Sequence, residues 1–433
     1  MARSGAPVQM EGARGPLSAA QSKAILDRLK SRGQETSIFD RHLALEEGIV
    51  GSPLSTGNRA VLLQDGPATF QAMFAAIRNA RDHINMETYI IEDDEVGKRF
   101  ADALIEKQAQ GVQVNFIYDS VGSIAAPKEF FKRLTDSGIK VLEFNPVNPL
   151  TARAGWSVNR RDHRKLLIVD GQTVFLGGIN ISGVYARGSF GDSSGSGGRK
   201  RDTGPPWRDT HLQLDGPVVA DFQKLFMETW EKQKGEPLAQ RNYFPKPESK
   251  GAEIVRAIGS APDEPFSQIY ATLISAINSA ETTVYLTNAY FVPDPQLLTA
   301  LKVAVGRGVD VKLILPSNTD SALVFHAGRS FYTELLEANV KIYERRGPLM
   351  HAKTALIDGV WSTVGSTNLD WRSFLHNQEV NAVILGQAFG TQMRAVFDKD
   401  LAASDQITLE KWLRRPAGDR MRESLSRMWQ RLL

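Results

Sequence analysis

Two stretches of the chain carry the same chemistry-bearing residues at the same intervals. His163, Lys165, Asp170, Gly171, Gly177 and Asn180 in the first are answered by His351, Lys353, Asp358, Gly359, Gly365 and Asn368 in the second. In both copies seven positions separate histidine from aspartate and seventeen separate histidine from asparagine. A lone His-x-Lys is far more often an ordinary strand surface than a site; two copies in register point to a duplicated unit. Other pieces repeat as well. Ala76-Ile77-Arg78-Asn79-Ala80 is matched by Ala276-Ile277-Asn278-Ser279-Ala280, and Gly111-Val112-Gln113-Val114 by Gly308-Val309-Asp310-Val311. The chain therefore reads as two related halves.

Strands alternate with amphipathic helices from Asn58 onward, as where Val112–Tyr118 follows Val96–Gln110 and its Gly111 stop. That alternation is α/β grammar. Four regions are expected: a loosely docked lead-in over 1–57, a first unit over 58–247, a second over 248–400, and a basic amphipathic tail over 401–433. The Pro-, Lys- and Gly-rich stretch 242–251 marks the boundary between the units. A Gly/Ser-rich insertion over 186–204 has the composition of a surface loop. Cysteine is absent, which excludes disulfides, a thiolate nucleophile and zinc-thiolate clusters. No apolar run approaches the roughly 20 residues that span a bilayer, and no signal-peptide core follows Arg3 and Arg14.

The repeated spacing has a geometric meaning. In each copy a short Asp-Gly turn joins two apolar, β-rich runs, the signature of a hairpin. His163 and Lys165 fall on one face of their strand. Folding about Gly171 sets position 163 against 179 and brings Asn180 beside the histidine; folding about Gly359 does the same for His351 and Asn368. Each half thus presents an imidazole, an ammonium and an amide at one point. Lysine and asparagine donate to phosphate oxygens, and histidine serves as nucleophile when neutral or as general acid when charged. The trio suits a phosphodiester. Asp170 and Asp358 open the turns and point away, as structural residues. A nucleophilic histidine also needs an orienting carboxylate, for which Glu379 and Asp209 stand at suitable distances along the chain. On the residues alone, both acids read more readily as solvated surface.

The paired His-x-Lys-x4-Asp elements, with Gly-Gly-x-Asn at 177–180 and Gly-Ser-x-Asn at 365–368, resemble the phospholipase D superfamily. Tyr89-Ile90-Ile91-Glu92-Asp93-Asp94, Asp119 with Gly122-Ser123, Arg208-Asp209-Thr210-His211 and Tyr290-Phe291-Val292-Pro293 resemble bacterial cardiolipin synthases more narrowly. The resemblance implies an α/β fold of two pseudo-symmetric lobes, each a mixed β-sheet flanked by helices, with one active site between them. It implies that His163 attacks phosphorus to form a phosphohistidine and that His351 is the acid and base. Lys165, Lys353, Asn180 and Asn368 would clamp the phosphate, with Asp209 orienting His163 and Glu379 orienting His351. No cofactor and no metal is implied. Cardiolipin synthesis from phosphatidylglycerol, with release of glycerol, is the leading expectation. Hydrolysis to phosphatidic acid is the alternative, and a nuclease or a silent scaffold ranks lower. Unlike fuller cardiolipin synthases, this chain shows no N-terminal hydrophobic spans.

Such an enzyme must reach a bilayer. Met421, Leu425, Met428, Trp429 and Leu432 share one helical face, flanked by Arg420, Arg422, Arg427 and Arg431. Arg420, Arg427, Trp429 and Arg431 are accordingly membrane-binding candidates, although the same helix could pack on the second unit. The charge distribution agrees. The formal +3 of the whole chain divides into +5 from Lys411 onward and −2 over residues 1–410. A slightly acidic body argues against a general nucleic-acid partner. An anionic membrane surface is the expected partner, and the expected location is cytoplasmic, against the inner face of the membrane.

Overall fold

The structure, a computed structural model, describes residues 8–32, 36–147, 157, 159–188 and 206–430. Seven strands build the first lobe: β1 (Leu54–Gln64), β2 (His83–Thr88), β3 (Gln113–Asp119), β4 (Lys140–Phe144), β5 (Leu166–Val169), β6 (Thr173–Gly177) and β7 (Thr210–Asp215). Seven more build the second: β8 (Glu253–Ser260), β9 (Thr283–Asn288), β10 (Asp310–Pro316), β11 (Lys341–Arg345), β12 (Lys353–Ile357), β13 (Trp361–Gly365) and β14 (Asn377–Leu385). The first sheet runs β4-β3-β2-β5-β6-β7-β1, with β2, β3 and β4 parallel and the other neighbours antiparallel. The second sheet repeats this order strand for strand as β11-β10-β9-β12-β13-β14-β8. The fold is thus mixed α/β, in two lobes of one topology.

Local chemistry explains why the halves fold alike. Helix Glu95–Ala109 starts where the Asp94 carboxylate accepts the Gly97 N–H at 2.8 Å, and helix Pro295–Gly306 starts where Asp294 accepts from Leu297 at 2.8 Å. Both helices are followed by left-handed glycines, Gly111 and Gly308. Each hairpin turn places an aspartate and a glycine at positive φ, 54° and 62° for Asp170 and Gly171, 50° and 67° for Asp358 and Gly359. A type I′ turn requires this at both central positions. The Asp170 carboxylate then accepts backbone N–H groups of Arg81, Asp82 and His83 at 2.8–3.2 Å. Asp358 accepts those of Glu281, Thr282 and Thr283 over the same range. These aspartates pin each hairpin to the start of its neighbouring strand.

The lobes share an apolar core. Leu166, Leu176, Leu212, Phe222 and Phe226 of the first pack with Val255, Leu356, Val364, Ala382 and Phe389 of the second. Burial of aliphatic and aromatic side chains contributes roughly 1.5–3 kcal/mol each, so the joint is as cohesive as a domain interior. β1 continues the contact by pairing antiparallel with β8. A buried ionic tie closes the other side: Arg208 donates to both oxygens of Asp400 at 3.0 and 2.8 Å, and Arg345 donates to Asp400 at 2.9 Å.

One expectation about the ends is revised and one left open is resolved. Residues 8–57 are not a loosely docked lead-in, since Met10, Ile38, Phe39, Leu43 and Leu54 lie in the second lobe's core and strand Met10–Gly12 pairs with β1. Their apolar side chains are spaced too irregularly to show a strong period. Residues 401–430 join the second lobe. Strand Ser404–Ile407 adds antiparallel to β11, and Trp412 is buried against Tyr332. Helix Ala417–Arg427 docks through its polar side, with Glu423 and Ser426 buried, Glu423 paired with Arg415, and the Arg427 guanidinium over the Phe331 ring. Its apolar side faces outward, with Met421 62%, Leu425 56%, Met428 79% and Trp429 54% exposed. Arg431, Leu432 and residues 189–204 of the insertion fall outside the described residues. Among the described residues no helix is long and apolar enough to cross a membrane.

Candidate active site

Two short strand pairs cross between the lobes and build the site. Arg161–Asp162, just before His163, pairs parallel with Asn377–Gln378, just before Glu379. Trp207–Arg208, just before Asp209, pairs parallel with Leu349–Met350, just before His351. The His163 N–H donates to the Gln378 carbonyl at 3.0 Å, and the His351 N–H to that of Arg208 at 2.7 Å. Each histidine is therefore delivered next to the acid of the opposite lobe.

Side-chain contacts follow from that crossing. His163 Nδ1 lies 3.1 Å from both oxygens of Glu379, and His351 Nδ1 lies 2.7 Å from Asp209 Oδ2. The expected pairing of Asp209 with His163 and Glu379 with His351 is thus corrected to the reverse. Separation along the chain suggested a partner within each half, whereas the parallel crossing exchanges the partners. With Nδ1–H donated to a carboxylate, Nε2 of each ring keeps its lone pair for the site.

The remaining expected residues gather around these pairs. Leu166 pairs with Leu176 and Thr354 with Val364, registers that carry 163 to 179 and 351 to 367. Lys165 Nζ donates to the His163 carbonyl at 2.5 Å, and Lys353 Nζ to that of His351. Asn180 Oδ1 accepts from the Ile90 N–H at 3.2 Å, which turns its amide nitrogen toward the Tyr185 hydroxyl at 3.3 Å. Asn368 is buried and its Oδ1 has no hydrogen-bond partner among the described residues. All eight residues, His163, Lys165, Asn180, Asp209, His351, Lys353, Asn368 and Glu379, are buried.

Burial sets the electrostatics. It pulls the His163 imidazole down to about 4 against the opposing pull of Glu379, and lowers His351 well below the ordinary range with help from Lys353 and Lys165. Burial likewise lowers Lys165 to about 7 and Lys353 to about 8, although Glu379 and Asp209 respectively oppose it. Asp209 is pushed up to about 6 by burial against the field of Lys353. Burial would raise Glu379 too, but His163 beside it holds its carboxyl below the usual range. Burial thus disfavours the charged forms of two lysines and two histidines, and an anionic ligand beside them would offset that cost.

Several neighbours, among them Asn377 and Tyr185, have no role assigned from the sequence. Ser366 Oγ bonds the Glu379 carboxylate, and Asn377 Nδ2 donates to its other oxygen at 3.2 Å. In the first copy Gly178 replaces this serine because a Cβ there would sit 2.3 Å from Asp209 Oδ1. At Gly177 a Cβ would meet Thr210 O at 2.6 Å, and at Gly365 it would meet Asn381 Oδ1 at 2.1 Å. Tyr185 places its hydroxyl 3.1 Å from His351 Nδ1. Tyr89 stands edge-on to His163 at 5.0 Å and beneath Lys165. Its backbone is held by Ser123, while Asp119 accepts the Asp162 N–H at 2.9 Å. The aspartates Asp170 and Asp358 take no part in these contacts.

Comparison with known proteins now has a geometry to explain. The family model described as "Cardiolipin synthase, PLD-like domain" matches residues 73–188 and 273–401, one segment in each lobe. The chain belongs to the cardiolipin synthase family. A family relative from Geobacillus sp. (strain WCH70), a cardiolipin synthase, is 36% identical over 429 residues, covering 95% of this chain and 82% of the relative. Cardiolipin synthase 2 of Bacillus anthracis is 34% identical over 430 residues, covering 95% and 80%. The crystal structure of a phosphatidylserine synthase from Haemophilus influenzae superposes with a TM-score of 0.66 over 90% of this chain and all of that one, at 14% identity. That likeness shows a shared fold. The relatives and the family model together make this chain a member of the phospholipase D superfamily, within its cardiolipin synthase branch.

Proposed function

We propose that the chain is a phosphatidyltransferase that moves the phosphatidyl group of one phosphatidylglycerol to the headgroup hydroxyl of another, making cardiolipin and releasing glycerol. The observation that carries this reading is the pair of buried histidines, each held through Nδ1 by the opposite lobe's carboxylate and flanked by both lysines. Cardiolipin synthases 34–36% identical over most of the chain support it.

In the first step His163 Nε2 attacks phosphorus. A P–N bond forms, the P–O bond to glycerol breaks, and His351 gives its proton to the departing oxygen. The bound phosphodiester anion favours protonated His351, because its negative charge offsets the burial and the lysine fields that lower the imidazole. In the second step the acceptor hydroxyl attacks phosphorus, its proton passes to His351, and the P–N bond breaks as the new P–O bond forms. Lys165, Lys353, Asn180 and Asn368 hold the non-bridging oxygens. One phosphodiester replaces another, so the step is nearly balanced in energy and calls on no cofactor. In an excess of water the same phosphohistidine would yield phosphatidic acid.

The substrate lies in a membrane, and the outward apolar face of helix Ala417–Arg427 is suited to an anionic surface. Met421, Leu425, Met428 and Trp429 would enter the interface with Arg420 beside them, while Arg427 helps dock the helix on the body. This reading places the enzyme peripherally on the inner face of the membrane. Pure protein incubated with phosphatidylglycerol vesicles should yield cardiolipin and equimolar glycerol. Phosphatidic acid alone would reassign it to hydrolysis, and no product from vesicle-bound protein would end the reading. Replacing Met421, Leu425, Met428 and Trp429 by serine should weaken sedimentation with anionic vesicles several-fold, and unchanged sedimentation would remove the helix from the account.

A further inference from the structure

At the mouth of the site the lobes stop matching. The bridges Ile91 to Ile181 and Phe291 to Leu369 put Ile90 of the first lobe and Tyr290 of the second in equivalent places. Ile90 offers an apolar, half-buried side chain. Tyr290 instead stands edge-on to His351, 6.2 Å between ring centres, and donates its hydroxyl to the Asp320 carboxylate, 2.7 and 2.6 Å from the two oxygens. Asp320 is exposed in the turn after β10, and its negative charge acts on both His351 and Lys353.

A carboxylate so near the phosphate position is misplaced for the phosphate itself, since like charges repel. It suits a group that brings hydrogen-bond donors. The alcohol portion served by His351 is that group, because its oxygen must lie at His351 while it departs or attacks. Beyond that oxygen, a glycerol headgroup carries further hydroxyls and an ethanolamine headgroup carries an ammonium. Either can donate to a carboxylate whose orientation Tyr290 has already fixed, and charge-assisted bonds of this kind are the stronger ones. Water as acceptor brings no such second group.

We propose that Asp320, held by Tyr290, is the specificity residue that receives the donor-rich headgroup of the alcohol entering or leaving at His351. The proposal rests on the phosphatidyl-transfer reading above and assigns acceptor choice to the second lobe. Asp320 and Tyr290 would thereby favour transfer over hydrolysis, and the first lobe would have no share in that choice.

The test uses the full chain on vesicles holding either phosphatidylglycerol alone or phosphatidylglycerol with phosphatidylethanolamine, with cardiolipin, phosphatidic acid, glycerol and ethanolamine all measured. Asp320→Asn should lower the ratio of cardiolipin to phosphatidic acid about tenfold, the scale of one charge-assisted hydrogen bond, chiefly through KM for the acceptor lipid. Tyr290→Phe should lower it less, about threefold, since the carboxylate survives but swings free. A greater loss of ethanolamine release than of glycerol release would identify the ammonium as the preferred donor, and the opposite result the hydroxyls. An unchanged ratio, or a parallel fall in both products with KM unaffected, would overturn the assignment by showing a merely structural role. Failure of the underlying reading looks different, because wild-type protein would then make no cardiolipin from either vesicle and the proposal would fall with it.

Discussion

The two lobes share strand order and register, yet their histidines live in different company. His163 has Glu379, a long acid whose reach is fixed by Ser366 and Asn377, with the Tyr89 ring at its edge. His351 has Asp209, a shorter acid with no serine behind it, and two hydroxylated rings, Tyr185 and Tyr290. Duplication supplied one scaffold twice, and the roles proposed for the two rings differ through what surrounds them. A nucleophile needs a fixed ring and open space at Nε2. An acid and base needs a proton it can give and recover, which a ring between Asp209 and a hydroxyl network is placed to do.

The sharpest way to break the comparison is to remove each ring. His163→Ala should lose about 10⁴-fold in turnover with every substrate. His351→Ala should lose as much with a lipid substrate but recover much of the phosphohistidine step with a nitrophenyl phosphodiester, whose leaving group needs no proton. Equal recovery by both variants would erase the division of roles. Exchanging the acids for amides tests the crossing. Glu379→Gln should cost about 10²–10³-fold regardless of leaving group, whereas the Asp209→Asn loss should shrink with nitrophenyl. The opposite pattern would restore pairing within each lobe.

Smaller effects sharpen it further. Gly178→Ser should cost tens-fold in activity by driving a side chain into Asp209, while Ser366→Gly should cost about tenfold or less through one lost hydrogen bond. The pH dependence is gentler still. With His351 well below the ordinary imidazole range, Lys165 near 7 and Lys353 near 8, kcat/KM should not rise above about pH 6, because the acid His351 must carry its proton. It should then fall in two stages as first Lys165 and then Lys353 lose theirs. Bound phosphodiester raises both lysines, so the alkaline limb of kcat should lie above that of kcat/KM. Coincident limbs would mean that the lysines do not hold the phosphate.

Much of this was legible in the residues. The period of the motif exposed the duplication, and the Asp-Gly turns gave the hairpin register that sets 163 against 179 and 351 against 367. The crossing was not legible, because it pairs the two-residue strand Arg161–Asp162 with only the first two residues of β14, a contact between distant segments too short to show a period. Asp320 was invisible for a similar reason. It belongs to a loop outside the repeated motif and earns its place only through Tyr290. The terminal helix was half legible: its amphipathic pattern was plain, but the usual rule that the apolar side turns inward fails where Glu423 and Arg427 do the docking.

The exchanged acids have one more consequence. A reciprocal swap across an approximate two-fold axis is what an isologous contact between identical copies produces, with residue i meeting j and j meeting i. A lone unduplicated lobe of this design would lack the carboxylate that its histidine meets here, and it would gain one only as a symmetric pair. Fusing two copies into one chain preserves that mutual dependence while freeing each copy to mutate alone. On the proposed reading competence is a property of the seam, because a lobe standing alone would bare the shared core and lack the acid that its histidine meets.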